Sequence, residues 1–122
     1  MKQYKIITAY NIIEEMRKKK IEYPSTVSYA LFRVKKALQD QYEFQSEEER
    51  KILEELKPDV NGPGQFDFHN NENAQRFLNR LEELRQLDVD LDYAKPTIKL
   101  TDDLKMTIEE TEALDEFINF VE

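Results

Sequence analysis

The chain has no cysteine and no tryptophan, one histidine, and only two glycines, which sit together in the single turn Asn61-Gly62-Pro63-Gly64. Each scarcity removes a chemistry. Without cysteine there is no thiolate nucleophile and no cysteine-type zinc cluster. Without glycines between a strand and a helix there is no loop that cradles a phosphate. A serine–histidine–acid triad would have to recruit His69, the lone imidazole. No apolar run approaches the roughly 20 residues that span a bilayer, and the amino terminus lacks a cleavable signal-peptide pattern. The expectation is a cytoplasmic, non-enzymatic protein with no cofactor, no bound metal and no membrane partner.

What is present is the composition of a folded, helix-rich domain: 39% hydrophobic and 36% charged residues over 122 positions, a length that fits one compact domain, 1–122. The net charge of −8 is unevenly spread. Residues 1–36 hold nine basic side chains against three acidic ones, a net of +6, while the remaining 86 hold nine basic and 23 acidic, a net of −14. The chain is dipolar along its length.

Apolar periodicity predicts a first helix from about Tyr4 to Lys19, with Ile6, Ile7, Tyr10, Ile13 and Met16 on one face. Pro24-Ser25-Thr26 reads as a second helix start, followed by Val27, Leu31, Val34, Leu38 and, after a polar gap, Ile52, Leu53 and Leu56. Gln41, Gln45 and Glu48 fill that gap, and Ser46 and Glu49 have capping-box spacing. One continuous helix is favoured over a break near Gln45, since no glycine or proline interrupts Val27 to Lys57. Pro58 to Gln65 reads as the main loop and Phe66-Asp67-Phe68 as a short strand. A third helix starts at Asn70 or Asn71 and carries Ala74, Phe77, Leu78, Leu81 and Leu84. Val89, Leu91 and Tyr93 alternate with acids, and Ile98 and Leu100 with Thr97 and Lys99, so two half-buried strands are expected, pairing with Phe66 to Phe68. Thr107 and Glu110 form a capping-box pair that opens a last helix burying Ile108, Leu114, Phe117, Ile118 and Val121. The predicted class is α+β, mainly helical: about four helices, one long and central, with a small two- or three-stranded sheet.

Several constellations invite chemical readings. Asp88, Asp90 and Asp92 have the spacing that opens a calcium loop, but Tyr93 and Lys99 stand where the turn glycine and the bidentate glutamate belong, so a solvated edge is preferred. His69 lacks the further ligands a metal nuclease needs and reads as a polar residue entering a helix. The adjacent pairs Glu82-Glu83 and Glu109-Glu110 point about 100° apart on a helix and cannot flank one bond. Arg17, Lys18, Lys19 and Lys20 complement the carbonyls of a helix end. With Arg33, Lys35 and Lys36 across a helical hairpin they form a candidate basic patch, although the acidic remainder and the lack of a recognisable aromatic platform disfavour direct nucleic-acid binding. Asp88, Asp90, Asp92, Glu109, Glu110 and Glu112 form a candidate acidic surface able to imitate a phosphate array, with ordinary solvation as the preferred reading.

Tyr23-Pro24-Ser25-Thr26-Val27-Ser28-Tyr29-Ala30-Leu31, the helix through Lys35-Lys36-Ala37-Leu38 to Glu47-Glu48-Glu49-Arg50-Lys51, and Thr107-Ile108-Glu109-Glu110-Thr111-Glu112-Ala113-Leu114 together resemble a family of small phage and prophage proteins of unknown function. The family's order of segments, a glycine-containing stretch after the long helix, then a helix and a short acidic alternating strand, is similar as well, and Pro96-Thr97-Ile98-Lys99-Leu100 fits its ending. The resemblance carries over no catalytic residues and implies a phage context. The expectation is a small acidic protein that acts by binding another protein, of phage or host, through Gln41, Tyr42, Phe44, Gln45 and Glu48, with a homodimer allowed. The alternatives are an anti-defence inhibitor of a nuclease or CRISPR effector, working through the acidic surface, and a virion assembly or scaffolding component.

Overall fold

The computed structural model describes residues 1–62 and 65–122 and, among them, four helices and two separate two-stranded sheets. Helix α1 (Gln3–Lys18) forms because Ile6, Ala9, Tyr10, Ile13 and Met16 recur at helical spacing, and all five are buried. It stops where Lys19 turns extended, with Arg17 and Lys18 in the last turn beside the exposed carbonyls. Pro24 then launches helix α2 (Ser25–Leu56), its carbonyl accepting from the Val27 and Ser28 amides.

Helix α2 is continuous over 32 residues, as the absence of breakers predicts. Ser46 and Glu49 therefore form no cap; Glu49 instead accepts a 2.9 Å hydrogen bond from Gln45 Nε2. The helix ends at Lys57, whose left-handed backbone (φ 48°) lets its amide reach the Leu53 carbonyl at 2.8 Å. Pro58 follows and cannot continue the helix.

Strands β1 (Asp59–Gly62) and β2 (Gln65–Asp67) pair antiparallel, so part of the expected main loop is a hairpin arm. Pro63 and Gly64, within the expected loop, lie outside the described residues. Asp59 and Asp67 stand opposite each other, an unfavourable pairing of like charges. His69 offsets it: Nε2 lies 2.9 Å from an Asp59 oxygen, and the His69 amide donates to Asp67 Oδ1 at 2.9 Å. His69 adopts φ 64° as the chain turns towards helix α3 (Asn71–Arg85), which Asn70 caps by accepting from the Asn73 amide at 2.7 Å.

Three expectations fail beyond α3. Val89 to Tyr93 is not a strand; the preceding Asp88 makes an isolated bridge with Lys2, and the Val89 amide donates to the Met1 carbonyl. Val89, Leu91 and Tyr93 still face the interior while Asp90 and Asp92 face solvent, so the alternation reports burial, not a ladder. Strand β3 (Thr97–Lys99) forms, but its partner is β4 (Asn119–Val121), parallel, not Phe66 to Phe68. Helix α4 (Ile108–Leu114) is correspondingly short. Leu114, Phe117 and Ile118 are buried as expected, whereas Ile108 is 78% and Val121 44% exposed. Acids at positions 115 and 116 sit badly with the negative end of the helix, and the open edge of β3 satisfies the next backbone groups: Asn119 donates to the Pro96 carbonyl and Leu100 to that of Val121.

One apolar core joins α1, the first half of α2, Ile98 of β3, and Leu114, Phe117 and Ile118. The second half of α2, the β1–β2 hairpin and α3 form a distal region beside it. There Phe66, Phe68 and Phe77 pack ring against ring at 5.0–6.3 Å, yet no residue of α3 is fully buried. No helix among the described residues is long and apolar enough to cross a membrane.

Candidate protein interface

Helices α1 and α2 form an antiparallel hairpin, with Gln3 against Gln41, Tyr10 against Tyr42 and Glu14 against Lys35. The buried series Val27, Leu31, Val34 and Leu38 commits one side of α2 to the core. The 3.6-residue period then sends Tyr29 and Phe32 outwards. They are 63% and 56% exposed, with ring centroids 6.3 Å apart. Tyrosine is enriched at interfaces because its ring is apolar and its hydroxyl can stay wet, and here it adjoins a second exposed ring.

Phe32 is the ridge between two concavities. On one side a groove of about 200 Å³ runs between the helices over Ile13, Met16, Tyr23 and Leu31, with Arg17 and Lys35 at its rim. The buried Tyr23 hydroxyl makes no hydrogen bond among the described residues, and burial pushes its pKa up. On the other side a hollow of about 360 Å³ is lined by Tyr29, Arg33, Lys36 and Tyr93. Arg33 reaches across to the Ala94 carbonyl at 3.2 Å, and the Tyr93 hydroxyl donates to the Phe117 carbonyl at 2.8 Å, its pKa pushed by burial to about 12.

The electrostatics of the rim centre on Glu14. Hydrogen bonds from Arg17 and Lys35 hold its carboxyl down at about 2, so it stays ionised and ties both cations to the groove wall. The face remains net positive on a chain of charge −8. Of the basic-patch candidates, Arg17, Arg33 and Lys36 thus gather around Phe32, while Lys18 and Lys20 are exposed at the end of α1. Lys19 is drawn away into a 2.7 Å ion pair with Glu110.

The expected interface on the middle of α2 does not exist as one surface. Tyr42 stacks on Tyr10 at 3.9 Å and packs on the core. Gln45 is buried, and the Gln41 carbonyl accepts from Gln3 Nε2 at 3.0 Å. Glu48 is half-buried and pairs with Lys51 at 3.2 Å. Only Phe44, 44% exposed, points outwards. Residues at the apolar phase of a helix face inwards whether or not they are apolar.

The acidic candidates also divide. Asp90, Asp92, Glu109 and Glu112 are exposed, and Asp88 pairs with Lys2 at 3.1 Å. Glu110 is a correction: it is only 4% exposed and closes a capping box with Thr107. Burial pushes its carboxyl up, but the Lys19 ammonium and the Thr107 amide outweigh that, and the net shift is downwards. It holds α4 against α1 and presents no charge to a partner. Among the described residues, no three acidic or histidine side chains converge as metal ligands would.

Sequence reasoning overlooked Tyr29 and Phe32 because it followed the apolar stripe inwards. The available signal was their place opposite that stripe, among Arg33 and Lys36. No family model, curated protein or solved structure matches the chain.

Proposed function

We propose that the chain is a non-enzymatic protein-binding module of phage type that works in the host cytoplasm through the outer face of α2. The observation that carries this reading is the exposed, stacked Tyr29–Phe32 pair, in which Phe32 stands between two concavities and Tyr29 lines one of them. Aromatic anchors beside a pocket, with arginine nearby, are the composition of protein hot spots. The phage context rests on the resemblance of the Tyr23–Leu31, α2 and α4 segments.

The same aromatic pair beside Arg33 and Lys36 favours a second reading, a platform for single-stranded nucleic acid. Charge decides between the two. Asp40, Glu43 and Glu47 continue the same exposed face of α2 and would repel a phosphate chain extended along it. Protein is therefore preferred.

The test is affinity capture from host cells, with and without phage infection, using the native chain and a Tyr29→Ser/Phe32→Ser variant, after nuclease treatment. The expected result is a protein partner held by the native chain and lost by the variant. Equal recovery by both, or capture abolished by nuclease, would reject this face as a protein interface. A host nucleic-acid enzyme released by salt, with retention by the aromatic variant, would instead favour the acidic inhibitor alternative; virion proteins alone would favour assembly.

A further inference from the structure

The exposed stripe of α2 carries a charge pattern that its own fold does not use up. At helical spacing it begins with Tyr29, Phe32, Arg33 and Lys36 and continues with Asp40, Glu43, Phe44 and Glu47. The first half is aromatic and basic, the second aromatic and acidic. The halves mirror each other about position 38. A second α2 laid antiparallel on the first sets Lys36 on Asp40, Arg33 on Glu43, Phe32 on Phe44 and Tyr29 on Glu47, each pair occurring twice. Parallel pairing would set each charge on its own copy and repel.

We infer that a second copy of this chain is the occupant of this face, in an isologous antiparallel pairing of two α2 helices. This rests on the protein-binding reading above and names the partner. Lys36 and Asp40 are exposed, and the other charged groups keep capacity for a partner. Arg33 uses one nitrogen on the Ala94 carbonyl, and Glu43 uses Oε1 on Gln39. Both Glu47 oxygens accept from Arg50, which holds its carboxyl below the usual range and keeps it anionic, leaving only their second lone pairs for the Tyr29 hydroxyl of the second copy. The stripe repeats in steps of four and three through positions 29, 33, 36, 40, 43 and 47, the spacing that keeps two helices in contact as they supercoil. From Tyr29 to Glu47 the contact is about 27 Å long at 1.5 Å per residue. Its seam is charged where strong coiled coils are apolar, so the dimer is weak, dissociates with salt and is specific in orientation.

Sedimentation velocity on the full chain at low salt, up to high micromolar concentration, tests the inference. The native chain is expected to shift towards two-chain mass with concentration and back to one on adding salt. Arg33→Glu/Lys36→Glu and Asp40→Lys/Glu43→Lys are each expected to stay monomeric, and an equal mixture of the two to dimerise. Lys36, Asp40 and Glu43 are exposed, and half-buried Arg33 gives up one surface hydrogen bond to Ala94, so circular dichroism should be unchanged. Orientation is read by cysteine linkage, which the cysteine-free sequence makes unambiguous. Tyr29→Cys and Glu47→Cys chains should link to each other on oxidation, while Tyr29→Cys alone should not, its two copies lying about 27 Å apart. A native chain monomeric at every concentration, or self-linking of Tyr29→Cys, would overturn the inference. If the chain stays monomeric while the Tyr29/Phe32 variant still loses its captured protein, the binding reading survives and only the identity of the partner fails.

Discussion

The two halves of helix α2 share one unbroken backbone, yet they differ in composition and hold their surroundings differently. The first half buries Val27, Leu31, Val34 and Leu38 in a core shared with α1, β3 and the residues around α4. The second half buries Ile52 outside that core and carries the hairpin and α3, whose apolar side chains are only half covered. Between them lies a polar seam. Gln3 and Gln45 are buried, and the side-chain oxygen of each lacks a hydrogen-bond partner among the described residues. One continuous helix thus joins a well-packed region to a loosely packed one. Backbone continuity does not make packing uniform, because most of a helix's stability in a protein comes from the face it buries.

Truncations should separate the regions most sharply. Phe117→Ala, at a side chain 1% exposed, should cost about 3–5 kcal/mol in chemical denaturation. Phe77→Ala, within the half-covered aromatic cluster, should cost about 1–2 kcal/mol, and native-state hydrogen exchange should show α3 opening more readily than α1. Equal costs, or equal exchange, would erase the distinction.

Gln45→Leu sharpens the seam itself. Replacing a buried amide whose oxygen is unsatisfied should stabilise the fold by about 1 kcal/mol once Glu49→Ala removes the acceptor of its amide nitrogen in the same background, and loss of stability there would mean that the amide orders the two regions. Thr107→Ala removes the α4 cap and should cost about 1 kcal/mol, read in the core region only.

The last effect is electrostatic and appears only in acid. Glu14 is held at about 2, and Glu110 below its ordinary value, in the folded core region. Groups with depressed folded pKa values contribute stability above their unfolded pKa, and lose it as pH falls through the folded value. Stability should therefore decline from about pH 4.5 towards about 2, and Glu14→Gln should flatten part of that slope. The exposed pairs of the distal region, such as Arg76 with Glu72, should add little.

Local signals were the legible part. The α1 stripe, the unbroken α2, the Asn70 cap and the Thr107–Glu110 capping box are all decided by residues within a turn of one another, and each forms as read. Strand partners were not legible, because pairing depends on which edges the packed helices leave open. The inward phase of Tyr42 and Gln45 could be counted along α2, but their fitness as an interface could not. It depends on Tyr10 and Gln3, which approach only when α1 folds back.

Short-range spacing and composition set the first three helices, the Asn70 and Thr107 caps, the mainly helical α+β class and the separation of positive from negative charge. Long-range packing set the pairing of β3 with β4, the end of α4 at Leu114, the burial of Glu110 against Lys19, and the exposed Phe32 ridge between two hollows, one of them lined by Tyr29. Those outcomes depend on contacts between residues far apart in the chain, whose formation is set by the shape of the whole core.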